Sequence, residues 1–178
     1  MTTAEQKKQL RKVVKVRVKA LSLAEKEKRA TALLRAVWNH PLFVSAQNVM
    51  LFWPLPDEIN TIPLIEHAYA VGKNVFLPVV VGDDLVVKPY NPTTMQPGAF
   101  GILEPQGDPV LPTQLDVIIV PGVAFDAACS RMGRGKGFYD RLLANISVPT
   151  IGVCYAEQYY LNIPTEQHDV PLNHVVVV

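Results

Sequence analysis

The chain has 178 residues, of which 49% are hydrophobic and 19% charged. This is typical of one globular domain with a real core and excludes a disordered chain. No apolar run approaches the ~20 residues of a membrane-spanning helix, and the charged N-terminus does not resemble a secretory signal peptide. Cys129 and Cys154 fit neither a zinc site nor a disulfide framework, and two scattered thiols favour the cytoplasm. We therefore expect a single domain over residues 1–178, as a monomer or weak dimer.

The net charge of +1 hides an uneven distribution. Residues 1–40 carry eleven Lys or Arg and three Glu, a net charge of +8, whereas the remaining residues carry six basic and thirteen acidic side chains, a net charge of −7. A basic arm is thus joined to an acidic body, and near-neutrality does not exclude an anionic partner. Most of the lysines on the arm are expected to form a solvated helix face.

The basic arm is predicted to form two helices. Thr3 with Gln6, and Ser22 with Glu25, have the spacing of capping boxes. An apolar stripe at helical spacing follows each of them. The stripes are Leu10, Val13, Val14, Val18 and Leu21 in the first helix, and Ala30, Leu33, Leu34 and Val37 in the second.

After Pro41 the pattern changes to short apolar runs that alternate with helices. One helix is predicted to be capped by Thr61, with Gly72 past its end, and another covers Phe138–Asn145. The predicted strands are Asn48–Trp53, Val75–Leu77, Val79–Val81, Leu85–Lys88, Asp116–Val120, Thr150–Cys154 and His174–Val178. Near-continuous Val/Ile runs between helices indicate an α/β fold, a three-layer α/β/α sandwich with a mostly parallel sheet and an N-terminal helical pair.

A glycine-rich segment carries the strongest functional signal. It follows the strand Asp116–Val120, at whose carboxyl end open α/β sheets bind ligands. In residues 131–137, with the sequence RMGRGKG, three cationic side chains alternate with three glycines before a helix begins. Such glycines let successive N–H groups point at an anion, and the cations complete a polyphosphate cradle. The spacing matches neither the Walker A motif nor the dinucleotide-binding fingerprint.

Two further candidate groups lie near this loop. Asp140, in the first turn of the following helix, is either a favourable helix-terminus carboxylate or a magnesium ligand beside the phosphates. Trp53 and Glu58 leave the first strand in a proline-bounded loop, where an aromatic ring and a carboxylate suit a flat heterocycle with N–H donors. A solvated acidic turn beside a core tryptophan is the equally open alternative.

These residues together resemble the 5-formyltetrahydrofolate cyclo-ligase family. The resemblance spans nearly the whole chain, and residues 131–140 (RMGRGKGFYD) carry most of it. The other matching segments are residues 7–11 (KKQLR), 57–61 (DEINT), 100–105 (FGILEP), 121–126 (PGVAFD) and 168–169 (HD). The resemblance implies ATP- and Mg²⁺-dependent cyclisation of 5-formyltetrahydrofolate to 5,10-methenyltetrahydrofolate, with release of ADP and phosphate.

The resemblance also implies roles for individual residues. Arg134, Lys136 and Glu58 would be catalytic, and Asp140 with Asn173 would hold the metal. Trp53, Glu58 and Phe100 would bind the folate. ATP would be bound by Lys7, Lys8, Arg11, Arg131, Met132, Gly133, Arg134, Gly135, Lys136, Gly137, Phe138 and Tyr139.

The sequence departs from the family pattern at two of these positions. Asn173 stands where the family usually has an acidic metal ligand, and an amide oxygen coordinates Mg²⁺ without adding charge. Phe138 stands where tyrosine is common, so the ring is kept and a hydroxyl is lost.

Two other functions remain open from the sequence. A paralogous ATP-dependent enzyme would use the same cradle on another substrate. A nucleotide- or RNA-binding protein would use the basic arm, but its basic residues do not interleave with aromatic ones as base-stacking sites do. We therefore expect small-molecule substrates and neither a nucleic-acid nor a membrane partner.

Overall fold

In the computed structural model, which describes residues 1–178, short connections link five α-helices and eleven strands. The helices are α1 (Thr3–Ala20), α2 (Leu23–Trp38), α3 (Pro41–Ser45), α4 (Ile62–Ala70) and α5 (Phe138–Ala144). The first six strands are β1 (Asn48–Met50), β2 (Asn74–Val81), β3 (Asp84–Pro89), β4 (Gln96–Pro97), β5 (Leu103–Glu104) and β6 (Val117–Val120). The others are β7 (Ala124–Asp126), β8 (Arg131–Met132), β9 (Thr150–Cys154), β10 (Tyr159–Tyr160) and β11 (His174–Val177).

The central sheet has six strands in the order β11-β9-β6-β1-β2-β3. All neighbours pair in parallel except β2 and β3, which form an antiparallel hairpin at one edge. Two small sheets, β10-β7-β8 and β4-β5, lie outside it. The prediction of a mostly parallel α/β sheet is confirmed.

Alternate residues of the central strands face two different cores. In β6, Val117 and Ile119 pack with α1 to α4, whereas Ile118 and Val120 pack with α5 and the segment before β11. This alternation follows from the two-residue period of a strand, and it explains why the central strands are apolar throughout. Helices therefore cover both faces of the sheet. None of these helices combines the length and hydrophobicity that crossing a membrane requires.

The N-terminal caps of the helices differ in part from those predicted from the sequence. Ser22 caps α2 as predicted, since its Oγ accepts a hydrogen bond from the N–H of Glu25. The capping box of α1, however, is formed by Thr2 and Glu5, one residue earlier than the predicted pair. Thr61 precedes α4 but does not cap it, because its hydroxyl donates instead to the carbonyl of Phe52 at 2.6 Å.

The predicted strands also need corrections of length. β1 ends at Met50, because the chain turns away into the loop that carries Trp53. The two predicted runs Val75–Leu77 and Val79–Val81 form a single strand, β2, which extends past its parallel neighbour to pair with β3. Val13 was expected on the buried stripe of α1 but is 44% exposed, because α1 buries only a narrow face, at Val14 and Val18.

Candidate active site

A cavity of about 750 Å³ lies beyond the carboxyl ends of β1 and β6, the edge where the sequence predicted a ligand site. Its walls come from α1, the loop after β1, the β2–β3 hairpin, the loop around Phe100, residues 131–141 and residues 166–169. The cavity is large enough for a cofactor-sized ligand. It is also the place where the basic arm meets the glycine-rich loop.

Most of the predicted site residues line this cavity, and two do not. The lining residues are Lys7, Arg11, Trp53, Glu58, Phe100, Arg131, Met132, Gly133, Arg134, Gly135, Lys136, Gly137, Phe138, Tyr139 and Asp140. Lys8 points from α1 into solvent. Asn173 lies at the amino end of β9, where its Oδ1 accepts hydrogen bonds from the N–H and the hydroxyl of Thr150 at 2.8 and 3.0 Å. The structure therefore gives no support to a metal-binding role for Asn173.

The glycine-rich loop is tied directly to α1. Arg11 Nε donates to the carbonyl oxygen of Gly133 at 2.9 Å. Gly135 and Gly137 have φ angles of +96° and +72°, which residues other than glycine rarely adopt. The tight turns leave Lys136 exposed at the cavity, with no ion-pair partner. Lys136 is thus a free cation at the point where an anionic ligand would enter.

Arg134 joins the loop to the opposite wall of the cavity. Its guanidinium lies 2.6 Å from Asp57 Oδ1 and 3.2 Å from Glu58 Oε1. The Glu58 carboxylate also accepts a hydrogen bond from the N–H of Leu55 at 2.9 Å. The two candidate groups that the sequence left separate are therefore one ion-paired unit.

Glu58 is the more buried of these two carboxylates, with a side chain 11% exposed. Burial raises the pKa of Glu58, and the Leu55 N–H and the Arg134 charge only partly oppose this. Glu58 is therefore a desolvated hydrogen-bond acceptor on the same wall as Trp53 and Phe52. Such a group suits the ring N–H donors of a flat heterocycle.

Arg131 and Tyr139 supply two buried donors without partners. Arg131 uses one terminal nitrogen for Asp140 Oδ1 at 3.0 Å, and its guanidinium carbon lies 5.5 Å from the centre of the Tyr139 ring. Arg131 Nε and the Tyr139 hydroxyl are both buried and make no hydrogen bond within the protein. Burial raises the pKa of Tyr139, and the Glu58 charge adds to the shift, so this hydroxyl stays protonated. Unpartnered donors of this kind are typical of a ligand site.

Asp140 has one carboxylate oxygen engaged. Its Oδ1 pairs with Arg131 and accepts from the Val170 N–H at 3.3 Å, whereas Oδ2 makes no hydrogen bond. A single free carboxylate oxygen beside bound phosphates is a common way of holding Mg²⁺. The donor set therefore fits this ion.

Lys7 lies at the same cavity but is already paired. Its ammonium is 2.7 Å from Glu166 Oε2 and 2.6 Å from Asp169 Oδ2, and the residue is only 6% exposed. Burial lowers the pKa of Lys7, but the hydrogen bonds that Lys7 donates to Asp169 and Glu166 outweigh it and raise the pKa overall. The role of Lys7 in this structure is to anchor α1 to residues 166–169, and nothing in the sequence pattern indicated Glu166 as its partner.

The sequence interpretation also missed the apolar wall of the cavity. Pro78, Val80 and Leu85 of the β2–β3 hairpin line it. One feature of the sequence could have indicated this wall. β2 is apolar at nearly every position, although it lies next to the edge of the sheet and alternate residues are only half-buried. A strand that is apolar on both faces needs a cover on each, and here the cavity lies over one of them.

Fold and cavity together define an α/β protein with a cationic ligand site at the carboxyl edge of a parallel sheet. A model of the "5-formyltetrahydrofolate cyclo-ligase family" matches residues 3–178. The Escherichia coli K12 5-formyltetrahydrofolate cyclo-ligase is 33% identical over 92% of this chain and 96% of its own. The Haemophilus influenzae protein of that name is 40% identical over 74% and 76%. The chain therefore belongs to the 5-formyltetrahydrofolate cyclo-ligase family, a family of ligases in folate metabolism, as its resemblance implied.

A solved structure supports the same assignment. The Aquifex aeolicus 5,10-methenyltetrahydrofolate synthetase, determined by NMR, is similar with a TM-score of 0.87 and 34% identity. The similarity covers 96% of this chain and 89% of that one. The two share one architecture over nearly their whole length.

Proposed function

We propose that this enzyme cyclises 5-formyltetrahydrofolate to 5,10-methenyltetrahydrofolate with ATP, releasing ADP and phosphate. The observation that carries the proposal is the Arg134 bridge, because it brings a cationic glycine-rich loop against a buried acceptor, Glu58, within one cavity. A phosphoryl donor and a flat heterocycle would therefore meet at Arg134. Family membership supports the folate as that heterocycle.

The proposed reaction has two steps. The formyl oxygen attacks the γ-phosphorus of ATP, a P–O bond forms, and the bond to the ADP oxygen breaks. The N10 amine of the folate then attacks the activated formyl carbon and releases its proton to solvent, the C–O bond breaks, and phosphate leaves with that oxygen. Such chemistry depends on positioning and on cations around the phosphoryl group more than on proton transfer.

The cavity residues match these requirements. Lys136, Arg134 and Arg11 would stabilise the phosphates, with the N–H groups of residues 133–137 around them. Glu58 would accept hydrogen bonds from the pterin, and Trp53 and Phe100 would pack against its faces. Phe100 is 61% exposed and has a φ of +58°, and the loop is held by Glu104, whose Oε1 accepts the Ala99 N–H at 3.0 Å.

Asp140 would hold Mg²⁺ through its free Oδ2. Bound there, the ion would neutralise charge on the phosphates. Asp140 itself would orient Arg131 through Oδ1, which keeps the Arg131 guanidinium against the Tyr139 ring.

The cellular setting is inferred in the same way. Two unpaired thiols, Cys129 and Cys154, support a reducing cytoplasm. We infer a monomer or weak dimer, which light scattering of the purified chain would test.

The direct test follows the absorbance of the methenyl product from 5-formyltetrahydrofolate. We expect product only when ATP and Mg²⁺ are both present, and one ADP for each methenyl group formed. Product formation without ATP would contradict the proposed mechanism. ADP release without any methenyl product would assign the cavity to another substrate, as in a paralogous enzyme.

A further inference from the structure

Most of the cations that line the cavity are neutralised by carboxylates of the protein itself. Four of the six lining Lys and Arg side chains form ion pairs with Asp or Glu, namely Lys7, Arg131, Arg134 and Arg141. Arg11 and Lys136 form none. Two free cations balance only part of the charge of a triphosphate, so a triphosphate that binds here has to draw other cations away from their carboxylates.

Arg134 is the most completely engaged of these cations. Its Nη1 and Nη2 donate to the two carboxylate oxygens of Asp57, at 3.1 and 2.6 Å. Its Nε and Nη2 donate to Glu58 Oε1, at 3.4 and 3.2 Å. These bonds use four of the five N–H groups of a guanidinium. Arg134 therefore has little to offer a phosphate unless one of the two carboxylates is displaced.

The two carboxylates differ in their access to the cavity. Glu58 lines the cavity, and its side chain is 11% exposed. Asp57 does not line the cavity, and its side chain is 46% exposed on the outer side of the pair. Burial acts to raise the pKa of Asp57, but the hydrogen bonds and charge of Arg134 lower it overall, so Asp57 stays ionised. A ligand in the cavity can therefore displace Arg134 from Glu58 while Asp57 keeps hold of it.

A pterin at Glu58 would compete directly with Arg134. Glu58 Oε2 accepts a hydrogen bond from the N–H of Leu55 at 2.9 Å, and Oε1 accepts both bonds from Arg134. A carboxylate that binds two adjacent N–H groups of a flat ligand uses both of its oxygens, so the pterin would take Oε1. The Nε hydrogen and one Nη2 hydrogen of Arg134 would then be free for a phosphate.

We propose that Asp57 is a positioning residue that, together with Glu58, withholds Arg134 from ATP until a folate occupies Glu58. The inference rests on the proposed function, because it requires ATP and a folate in one cavity. An arginine beside a transferred phosphoryl group stabilises the charge of its transition state. While both carboxylates hold Arg134, the γ-phosphoryl group lacks this stabilisation. Once the pterin displaces Glu58, Asp57 fixes the guanidinium at the junction of the two substrates.

The pairing would suppress hydrolysis of ATP in the absence of the folate. In that side reaction a water oxygen attacks the γ-phosphorus, a P–O bond forms, the bond to the ADP oxygen breaks, and the proton of the water goes to solvent. The cavity is large enough to admit water beside ATP when no folate fills it. Keeping Arg134 paired is thus a way to make phosphoryl transfer depend on the formyl acceptor.

The test measures ADP release by Asp57→Asn with MgATP and no folate. The amide keeps the size of the side chain but loses its charge and one of the two parallel bonds to Arg134. We expect folate-free ADP release about tenfold faster than in the unmodified enzyme, because one partly exposed bidentate pair is worth about one factor of ten. With the folate present, the ratio of ADP to methenyl product should rise above one. A general structural defect would lower these rates, so it cannot produce the increase.

A second measurement uses the unmodified enzyme alone. Calorimetry gives the Kd of MgATP with and without saturating tetrahydrofolate, which carries the pterin but no formyl oxygen to phosphorylate. We expect MgATP to bind about tenfold more tightly with tetrahydrofolate present, because the pterin releases Arg134 from Glu58. Tetrahydrofolate should gain affinity from MgATP by the same factor.

Asp83→Asn is the matched control. Asp83 is an exposed aspartate of the β2–β3 turn, and its carboxylate pairs with no cation. The variant removes the same charge without releasing an arginine, so folate-free ADP release should stay slow and the ratio of ADP to methenyl product should stay at one.

The outcomes separate this inference from the proposed function. Unchanged folate-free ADP release in Asp57→Asn, an equal increase in Asp83→Asn, or a Kd of MgATP that ignores tetrahydrofolate would each overturn the inference alone, as long as the unmodified enzyme forms methenyl product. No methenyl product from the unmodified enzyme with both substrates and Mg²⁺ would overturn the proposed function, and this inference with it.

Discussion

Arg11 Nε donates a hydrogen bond to the carbonyl oxygen of Gly133 at 2.9 Å, joining the first helix to the glycine-rich loop. The contact brings the basic arm of the sequence to the cationic loop that lies far from it along the chain. A Cβ at the nearby Gly135 would lie 3.7 Å from Arg11 Nη2. The shape of this loop therefore matters both for its own backbone and for the arginine that packs on it.

We expect Gly135→Ala to lower activity more than stability. Gly135 has a φ of +96°, so alanine costs about 1–2 kcal/mol or shifts the loop. Gly82→Ala is the matched control, because Gly82 also has a positive φ, +62°, but lies in the β2–β3 turn outside the cavity. Urea unfolding should give similar losses of stability for both variants, and the methenyl assay a much larger loss of kcat/KM for Gly135→Ala. Equal activity in the two variants would contradict a role for the loop in binding.

Lys136→Ala is expected to remove most of the turnover and leave the fold intact. Lys136 is exposed and has no ion-pair partner, so its removal should change the free energy of unfolding by no more than about 0.5 kcal/mol. In the proposed mechanism Lys136 lies beside the transferred phosphoryl group, so the loss of its positive charge should lower kcat/KM by about 100-fold or more. Lys28→Ala is the control, because it removes one positive charge from the exposed side of α2. Activity of Lys136→Ala near that of Lys28→Ala would exclude Lys136 from the mechanism.

Glu58→Gln should raise KM for the folate far more than KM for ATP. The amide keeps the size of the side chain but removes the charge that would accept hydrogen bonds from pterin N–H groups. Because burial raises the pKa of Glu58, its proton is taken up closer to neutral pH than is usual for glutamate. KM for the folate should therefore rise as the pH falls through that pKa, and Glu58→Gln should lack this dependence.

A second acidic residue provides the control for that prediction. Glu66→Gln, on the exposed side of α4, should keep both KM values and the pH profile. If Glu58→Gln raised both KM values equally, or kept the acid limb of the pH profile, the assignment of Glu58 to the folate would be wrong.

Asp169→Asn is expected to destabilise the protein in a pH-dependent way. The Asp169 carboxylate accepts from the buried Lys7 at 2.6 Å, and removing it leaves that ammonium with the more exposed Glu166 alone. We expect a loss of about 2–3 kcal/mol at neutral pH, less than for a fully buried pair. Urea unfolding of both proteins across the pH range would measure it.

The sign of the pH effect follows from the pKa of Asp169. Burial acts to raise it, but the hydrogen bond from Lys7 and the N–H of Glu166 lower it overall in the folded state. The contribution of the carboxylate is therefore complete above the unfolded pKa of about 3.9 and is lost as the pH falls through the lower folded value. The two proteins should converge in stability only in strong acid, and a constant difference down to that pH would contradict the ion pair.

The sequence alone determined the fold class and the position of the site along the chain. Val/Ile runs such as Thr150–Cys154 can be read because a strand buried on both faces must be apolar at every position. The glycine and cation pattern of residues 131–137 is local chemistry, so it too is visible without a structure. The ends of the helices and strands were predicted less accurately. The capping box of α1 is formed by Thr2 and Glu5, whereas the sequence pattern predicted Thr3 and Gln6, because either of the two adjacent threonines could cap the helix.

Only the tertiary structure decided which charges meet. The net charge of +1 gave no sign that Arg134 pairs with Asp57 and Glu58, or Lys7 with Glu166 and Asp169. It equally gave no sign that Asn173 lies at the opposite end of β9 from the cavity. These relationships depend on where the crossovers of the sheet return the chain. Ion pairs between residues 76 to 162 positions apart leave no periodic trace in the sequence.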